Sequence, residues 1–377
     1  MKVKKLAGIL TLILAFFSIN VFSEVKTKFY GYQWLRYTDI VLGADIQKDS
    51  GMSIPRTYLR WKMEDKDAGW VGEITLDIVS EKGGQVVSTS SANTGSTDAD
   101  GSGTTITVTH THTYDKASGK VDFAIWPKYA YVDFVAIPIL RDISAKLRVG
   151  QQKNYFGTVE LWEYPLIEKT ITDLRKVIGS ADLGIALLGD LPEGYGEYQI
   201  AMHNGSGYKN LEANVEKQYS GSLMLLPISG LMLRASYMMN NQSAHGTDSK
   251  IKRASDFVAQ YTINFLPVPM QILGEYVVVE DPLHAGSGKS GVGVGYMLFG
   301  SIDLLEWMQL ALRYDNWNPD TSKKNDEVNL YIAGINFKIN PNNLLQLNYQ
   351  LEQPQFGGGY PHTSHKNTFL AQLKWSW

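Results

Sequence analysis

The chain has 377 residues, a formal net charge of −3 and no cysteine. Disulfides, thiolate chemistry and cysteine metal sites are therefore excluded, and a chain without a basic excess is not built for general nucleic-acid binding. Length alone would suggest two or three soluble domains, but the periodicity of the chain argues for one closed sheet.

Taken in chain order, Lys2, Lys4 and Lys5 precede an apolar run, Leu6 to Phe17, and Val21-Phe22-Ser23 reads as a cleavage site before Glu24. This is the pattern of a secretory signal peptide over residues 1–23, with no cysteine after it for a lipid anchor. The remaining chain, residues 24–377, would carry about −6 with histidine neutral. Beyond Glu24 no apolar run approaches the roughly 20 residues that a spanning helix requires. A helical membrane protein is excluded.

From there the chain is a succession of segments of about ten alternating residues, the signature of half-buried strands. Residues 26–37, 53–63 and 70–79 are the first three. Residues 80–120, rich in Ser, Thr, Gly and Asp, read as a long loop in which 104–114 has strand character and suggests a small hairpin. Strands are expected at 121–134 and 143–152. Residues 153–178 then form a mixed, partly helical segment. Eleven further strands come after it, at 179–188, 194–203, 217–226, 231–240, 254–265, 270–279, 290–300, 307–316, 326–338, 344–352 and 367–377, sixteen in all.

The connections alternate in kind. Asp190-Leu191-Pro192-Glu193, 227–230, 266–269 and Asn340-Pro341-Asn342-Asn343 carry the Pro, Gly and Asn of tight turns. Residues 204–216, 241–253, 280–289, 317–325 and 353–366 are longer and polar. Short turns at one end and long loops at the other describe a transmembrane antiparallel β-barrel with short periplasmic turns and long extracellular loops. Only a closed sheet leaves no unpaired backbone in lipid. The last strand fits this reading: Phe369, Ala371, Leu373, Trp375 and Trp377 share one face. Eleven residues at about 3.3 Å each, tilted by about 45°, span roughly 25 Å, the height of an outer-membrane apolar band. Trp375 and Trp377 are expected at the membrane interface.

The apolar register assigns the charges. With Thr57, Leu59, Trp61 and Met63 toward lipid, Arg56, Arg60 and Lys62 face the lumen. By the same parity Lys146, Arg148, Arg234 and Arg313 are expected to line the pore, as are the acidic Glu73, Asp77, Glu197, Glu275 and Glu352. A cation on the lipid face at the midplane would cost about 2–4 kcal/mol. Arg56, Arg60, Lys62, Lys146 and Arg148 together suggest a local basic track for anions, against the reading that each charge merely pairs across strands and hydrates the channel.

Residues 153–178 carry Lys153, Tyr155, Phe156, Trp162, Tyr164 and Lys169. So many apolar groups must pack against something. A loop folded into the barrel, narrowing the pore, is expected; packing on a neighbouring subunit is the other possibility.

Arg56-Thr57-Tyr58-Leu59-Arg60, residues 72–77, Lys128-Tyr129-Ala130-Tyr131-Val132-Asp133 and the run from Leu147 to Gly157 resemble the phosphate-selective porin O and porin P family. The resemblance implies a sixteen-stranded trimeric porin of the bacterial outer membrane with its third loop folded inward. It departs at Asn154-Tyr155, where the family has a residue followed by Pro, and it lacks the family's dense lysine cluster and arginine ladder.

The functional expectation is a porin passing small hydrophilic solutes or ions, without a cofactor, in contact with the lipid bilayer and lipopolysaccharide. A barrel serving adhesion or assembly through residues 80–120 is the alternative. A barrel enzyme would need a nucleophile and base in reach, and no serine motif accompanies any of the seven histidines. His110 and His112 share a face of the expected hairpin and could hold a metal, although a solvated Thr/His loop is the ordinary reading.

Overall fold

The computed structural model describes residues 25–42, 46–81, 86–96, 104–114, 122–210, 217–241, 250–264, 267–281, 291–355 and 365–377. The expected signal peptide, 1–23, lies outside these residues. The chain divides into two compact units, 1–77 with 126–377, and 78–125.

The strands are β1 (Lys26–Leu42), β2 (Ile46–Asp65), β3 (Trp70–Glu81), β4 (Val86–Ser96), β5 (Thr104–Tyr114), β6 (Asp122–Phe134), β7 (Ala145–Lys153), β8 (Ala181–Asp190) and β9 (Gly196–His203). They continue with β10 (Gln218–Ile228), β11 (Leu231–Asn241), β12 (Ile251–Ile263), β13 (Met270–Asp281) and β14 (Gly291–Leu305). The last four are β15 (Met308–Asn318), β16 (Val328–Asn340), β17 (Asn343–Pro354) and β18 (Lys366–Ser376). Sixteen of them close a barrel in the order β1-β18-β17-β16-β15-β14-β13-β12-β11-β10-β9-β8-β7-β6-β3-β2. The pairings described in register are antiparallel, and β18 closes on β1 from Tyr32 opposite Ser376 to Leu42 opposite Lys366. The remaining pair, β4 with β5, is the hairpin expected around 104–114; the side chains of His110 and His112 on it are outside what the structure describes.

Two boundaries differ from expectation. β1 and β2 run on through 38–42 and 46–52, which the alternation does not assign. On β6 the parity slips: Lys128 and Tyr129 are both buried between exposed Pro127 and exposed Ala130. No described helix is long and apolar enough to cross a membrane; those present are single turns, α1 (Pro138–Arg141), α2 (Ile171–Leu174) and a 3-10 turn at Pro192–Gly194.

The outer surface is apolar. Ile200, Phe257, Ile272, Leu298 and Leu312 are each more than half exposed. Phe29, Trp61, Trp307, Trp375 and Trp377 stand exposed toward the short turns, with Tyr37, Tyr219 and Phe369 nearer the long loops. Exposed apolar side chains on a sheet with no free edge, bordered by aromatic rings, are how a strand protein meets hydrocarbon. This is a transmembrane barrel of the outer-membrane class.

The inner surface is not uniformly polar, and there the core sits. On β13 the outward Tyr276 is 45% exposed while the inward Val277 is 0%. Met238, Val258, Met297, Phe299 and Ile332 face inward with it, and all are buried in one cluster with residues of the connection after β7.

Candidate functional site

That connection, residues 154–180, is the third of the expected long loops and folds into the barrel. Phe156, Trp162, Leu166, Ile171, Val177 and Ile178 lay an apolar face on the inward side chains of β11 to β16. Trp162 meets Phe299 edge-on at 5.3 Å. Full burial of such side chains contributes about 1.5–3 kcal/mol each. The apolar groups of the loop thus pack on the chain's own wall.

Polar groups fix the register of the loop. Thr158 gives Glu275 its backbone N–H at 3.1 Å and its hydroxyl at 2.7 Å. Arg234 donates to the Gly157 carbonyl at 2.9 Å and pairs with Glu160. Arg313 holds Asp315 at 2.6 Å and donates to the Lys169 carbonyl. Farther on, Asn336 reaches the Pro165 carbonyl at 2.7 Å, Gln346 the Tyr164 carbonyl at 3.0 Å, and Ile167 N–H donates to Asn348 at 3.2 Å. Gly157 has φ +55°, and a Cβ there would stand 2.4 Å from Glu275 Oε1, so the loop turns against the wall only with glycine. The Thr170 hydroxyl accepts from Asp173 N–H and caps α2. Burial pushes the Glu160 carboxyl up, and the Arg234 guanidinium opposes that rise.

By strand parity Arg234, Arg313 and Glu275 are expected to line the pore. Their parity is inward, but at 6%, 3% and 1% exposure they are covered by the loop and anchor it. Alternation tells which side of a sheet a residue takes, not what lies upon it.

The opposite wall is basic and aromatic. The inward positions of β1 are Lys28, Tyr30, Tyr32, Trp34 and Arg36; those of β2 are Arg56, Tyr58, Arg60 and Lys62; β18 adds Gln372, Lys374 and Ser376. No carboxylate stands among these, although Glu64, opposite Lys26, continues the same face of β2 at its short-turn end. Arg56 pairs with Asp77 at 3.2 Å, and Arg56 and Lys128 each donate to the Tyr58 hydroxyl at 2.8 Å. Glu73 accepts from Thr75 at 2.8 Å and Tyr131 at 3.2 Å. Arg148 takes Asp133 through two nitrogens, at 2.6 and 2.8 Å, with Lys146 on the same carboxylate at 3.1 Å. Arg60, by contrast, lies over the rings of Tyr30, Tyr32 and Tyr58, and Lys374 lies over Tyr32. Arg36 bonds neutral Gln372 at 2.6 and 2.9 Å.

The loop narrows the space between the two walls. Tyr164, at φ +58°, turns its ring onto Trp34 at 4.9 Å. Beside that contact Arg36, Arg56, Glu168 and Lys169 line a cavity of about 160 Å³. A larger one of about 470 Å³, toward the short turns, takes in Lys146, Tyr155, Glu197, Gln199 and Arg234. Of the other expected site residues, Lys153 ends β7, Lys62 and Glu197 are exposed on inward positions, and Glu352 pairs with Arg175 at 3.5 Å. Reading the sequence misses Lys28, Arg36, Lys128 and Lys374. Of these Lys374 is within reach of the alternation, since it lies between outward Leu373 and Trp375.

No protein-family model and no curated protein matches the sequence. The fold does have likenesses. An anion-selective porin from Comamonas acidovorans is similar with a TM-score of 0.63 at 13% identity, over 94% of this chain and 100% of that one. The outer membrane channel DcaP of Acinetobacter baumannii gives 0.61 at 13%, over 94% and 98%. Salmonella typhi OmpF, in complex with daunomycin, gives 0.57 at 10%, over 93% and 98%. The chain therefore has the fold of outer-membrane porins.

Proposed function

We propose that the protein is a diffusion channel of a bacterial outer membrane, passing small hydrophilic solutes with a preference for anions, and that it works as a homotrimer. One observation carries the preference. Arg36, Arg60 and Lys374 make no ion pair among the described residues; their partners are glutamine and tyrosine rings. A cation with a neutral partner keeps its field in the bore, whereas Arg56 with Asp77, or Arg148 with Asp133, sums close to zero. A neighbour described as anion-selective, and another, an outer membrane protein of Vibrio cholerae, described in a trimer form, support the same reading. Neighbours that are porins and channels favour a channel over an enzyme. Membership of the porin O and porin P family rests on the passages from Arg56 to Gly157, and phosphate selectivity is not part of the proposal.

Planar-bilayer recording of the folded protein tests it. The expected result is a steady conductance whose reversal potential in a potassium chloride gradient lies on the chloride side. Cation preference would defeat the anion reading, and folded protein without conductance would defeat the channel.

A further inference from the structure

We infer that the channel's preferred solutes are aromatic carboxylates: anions whose charge is attached to a flat ring. The inference rests on the proposed anion preference and names the class of solute that the basic wall accepts.

Two half-buried cations, Arg60 and Lys374, approach the same ring, Tyr32, at 5.4 and 5.0 Å. Arg60 also stands 5.9 Å from Tyr30, whose other neighbour is Lys28 at 5.2 Å. The buried Nε of Arg60 has no acceptor. Among the described residues neither cation has a carboxylate at ion-pair distance, Glu73 and Glu163 acting on them from farther off, while aromatic surface surrounds both. A planar guanidinium receives a carboxylate through two parallel hydrogen bonds, and Lys374, over the same ring, adds a second charge. The body attached to that carboxylate then lies against Tyr30 and Tyr32. A flat ring gains there by edge or offset contact with tyrosine and by sharing the cations at its face. A saturated ring of similar size has neither gain. A compact inorganic anion would use the charges and leave the rings unused.

Block of chloride current by benzoate, cyclohexanecarboxylate and acetate, compared on the same channel, tests this. Benzoate should half-block at a concentration roughly 3–10-fold below that of cyclohexanecarboxylate, with acetate weakest, as one or two aromatic contacts predict. Tyr32→Leu, and independently Tyr30→Leu, should bring benzoate to the level of cyclohexanecarboxylate, each block being read against that variant's own chloride current. Equal block by the two ring acids on a chloride-preferring channel would overturn this inference alone. A cation-preferring channel would overturn the anion reading and this inference with it. The wild-type comparison is decisive even where a tyrosine variant fails to fold.

Discussion

Thr158 meets Glu275 with both of its donors, the backbone N–H at 3.1 Å and the hydroxyl at 2.7 Å, where the carboxylate is all but sealed from solvent. An acceptor buried in this way loses more when a donor is removed than it gained when the bond formed. Thr158→Val keeps shape and removes the hydroxyl, at a cost of about 1–3 kcal/mol to the docked loop. The expected outcome is a noisier channel with a larger mean conductance and a lower melting temperature of the folded barrel in detergent. A variant indistinguishable from wild type in all three would show that this contact does not hold the loop.

The alternation of β18 is legible in the sequence, because hydrocarbon lies on one side of it and, but for Leu370, polar groups on the other. β1 is not. Phe29, Leu35 and Tyr37 face outward, Tyr30, Tyr32 and Trp34 inward, so both faces read as aromatic and the positions of Lys28 and Arg36 cannot be assigned. β16 misleads for another reason. Tyr331, Ala333 and Ile335 look outward, but Leu330 and Ile332 are equally apolar because the inserted loop covers them. A barrel with its own core breaks the rule that the inside is wet, and only tertiary packing reveals where.

Two double variants should differ in their effect on selectivity. Arg60→Gln with Lys374→Gln removes two positive charges that form no ion pair among the described residues, Glu73 and Glu163 acting on them from farther off. Arg56→Gln with Asp77→Asn removes a pair whose charges already cancel at 3.2 Å. The first should lower the ratio of anion to cation permeability roughly fivefold or more, about 1 kcal/mol being the interaction of unit charges 4 Å apart in water. The second should leave it nearly unchanged. The effect of the first should also shrink at high salt. Equal shifts, measured as reversal potentials, would mean that pairing does not decide which cations set selectivity.

Glu160 should give the channel an acid response. Burial raises its carboxyl, while Arg234 and Lys153 pull it the other way. A free glutamate titrates near about 4.3. Between that value and the raised one the folded protein holds a proton that the unfolded chain has lost, so stability contributed by Glu160 falls as pH rises through this window. Lowering the pH through the raised value removes the negative charge and leaves Arg234 unbalanced. Anion preference should therefore increase on mild acidification, before exposed carboxylates respond. Glu160→Gln should display the acid-form selectivity at neutral pH and lose this step. Identical selectivity–pH curves for the two proteins would rule Glu160 out as the source.

Tyr164 closes the gap between the loop and β1, and it does so from a backbone conformation that tyrosine disfavours. Its φ of +58° belongs to the left-handed region, which for a residue with a Cβ costs about 1–3 kcal/mol. The ring stands 4.9 Å from Trp34, edge to face, and aromatic pairs of this kind contribute about 0.5–1.5 kcal/mol. Two substitutions separate the strain from the contact. Tyr164→Ala keeps the strain and loses the ring; Tyr164→Gly loses both. If the ring forms the constriction, both variants should pass larger neutral solutes than wild type, with Tyr164→Gly the more stable of the two. Exclusion limits measured with a graded series of polyethylene glycols would show it. An unchanged limit in both variants would place the narrowest point elsewhere.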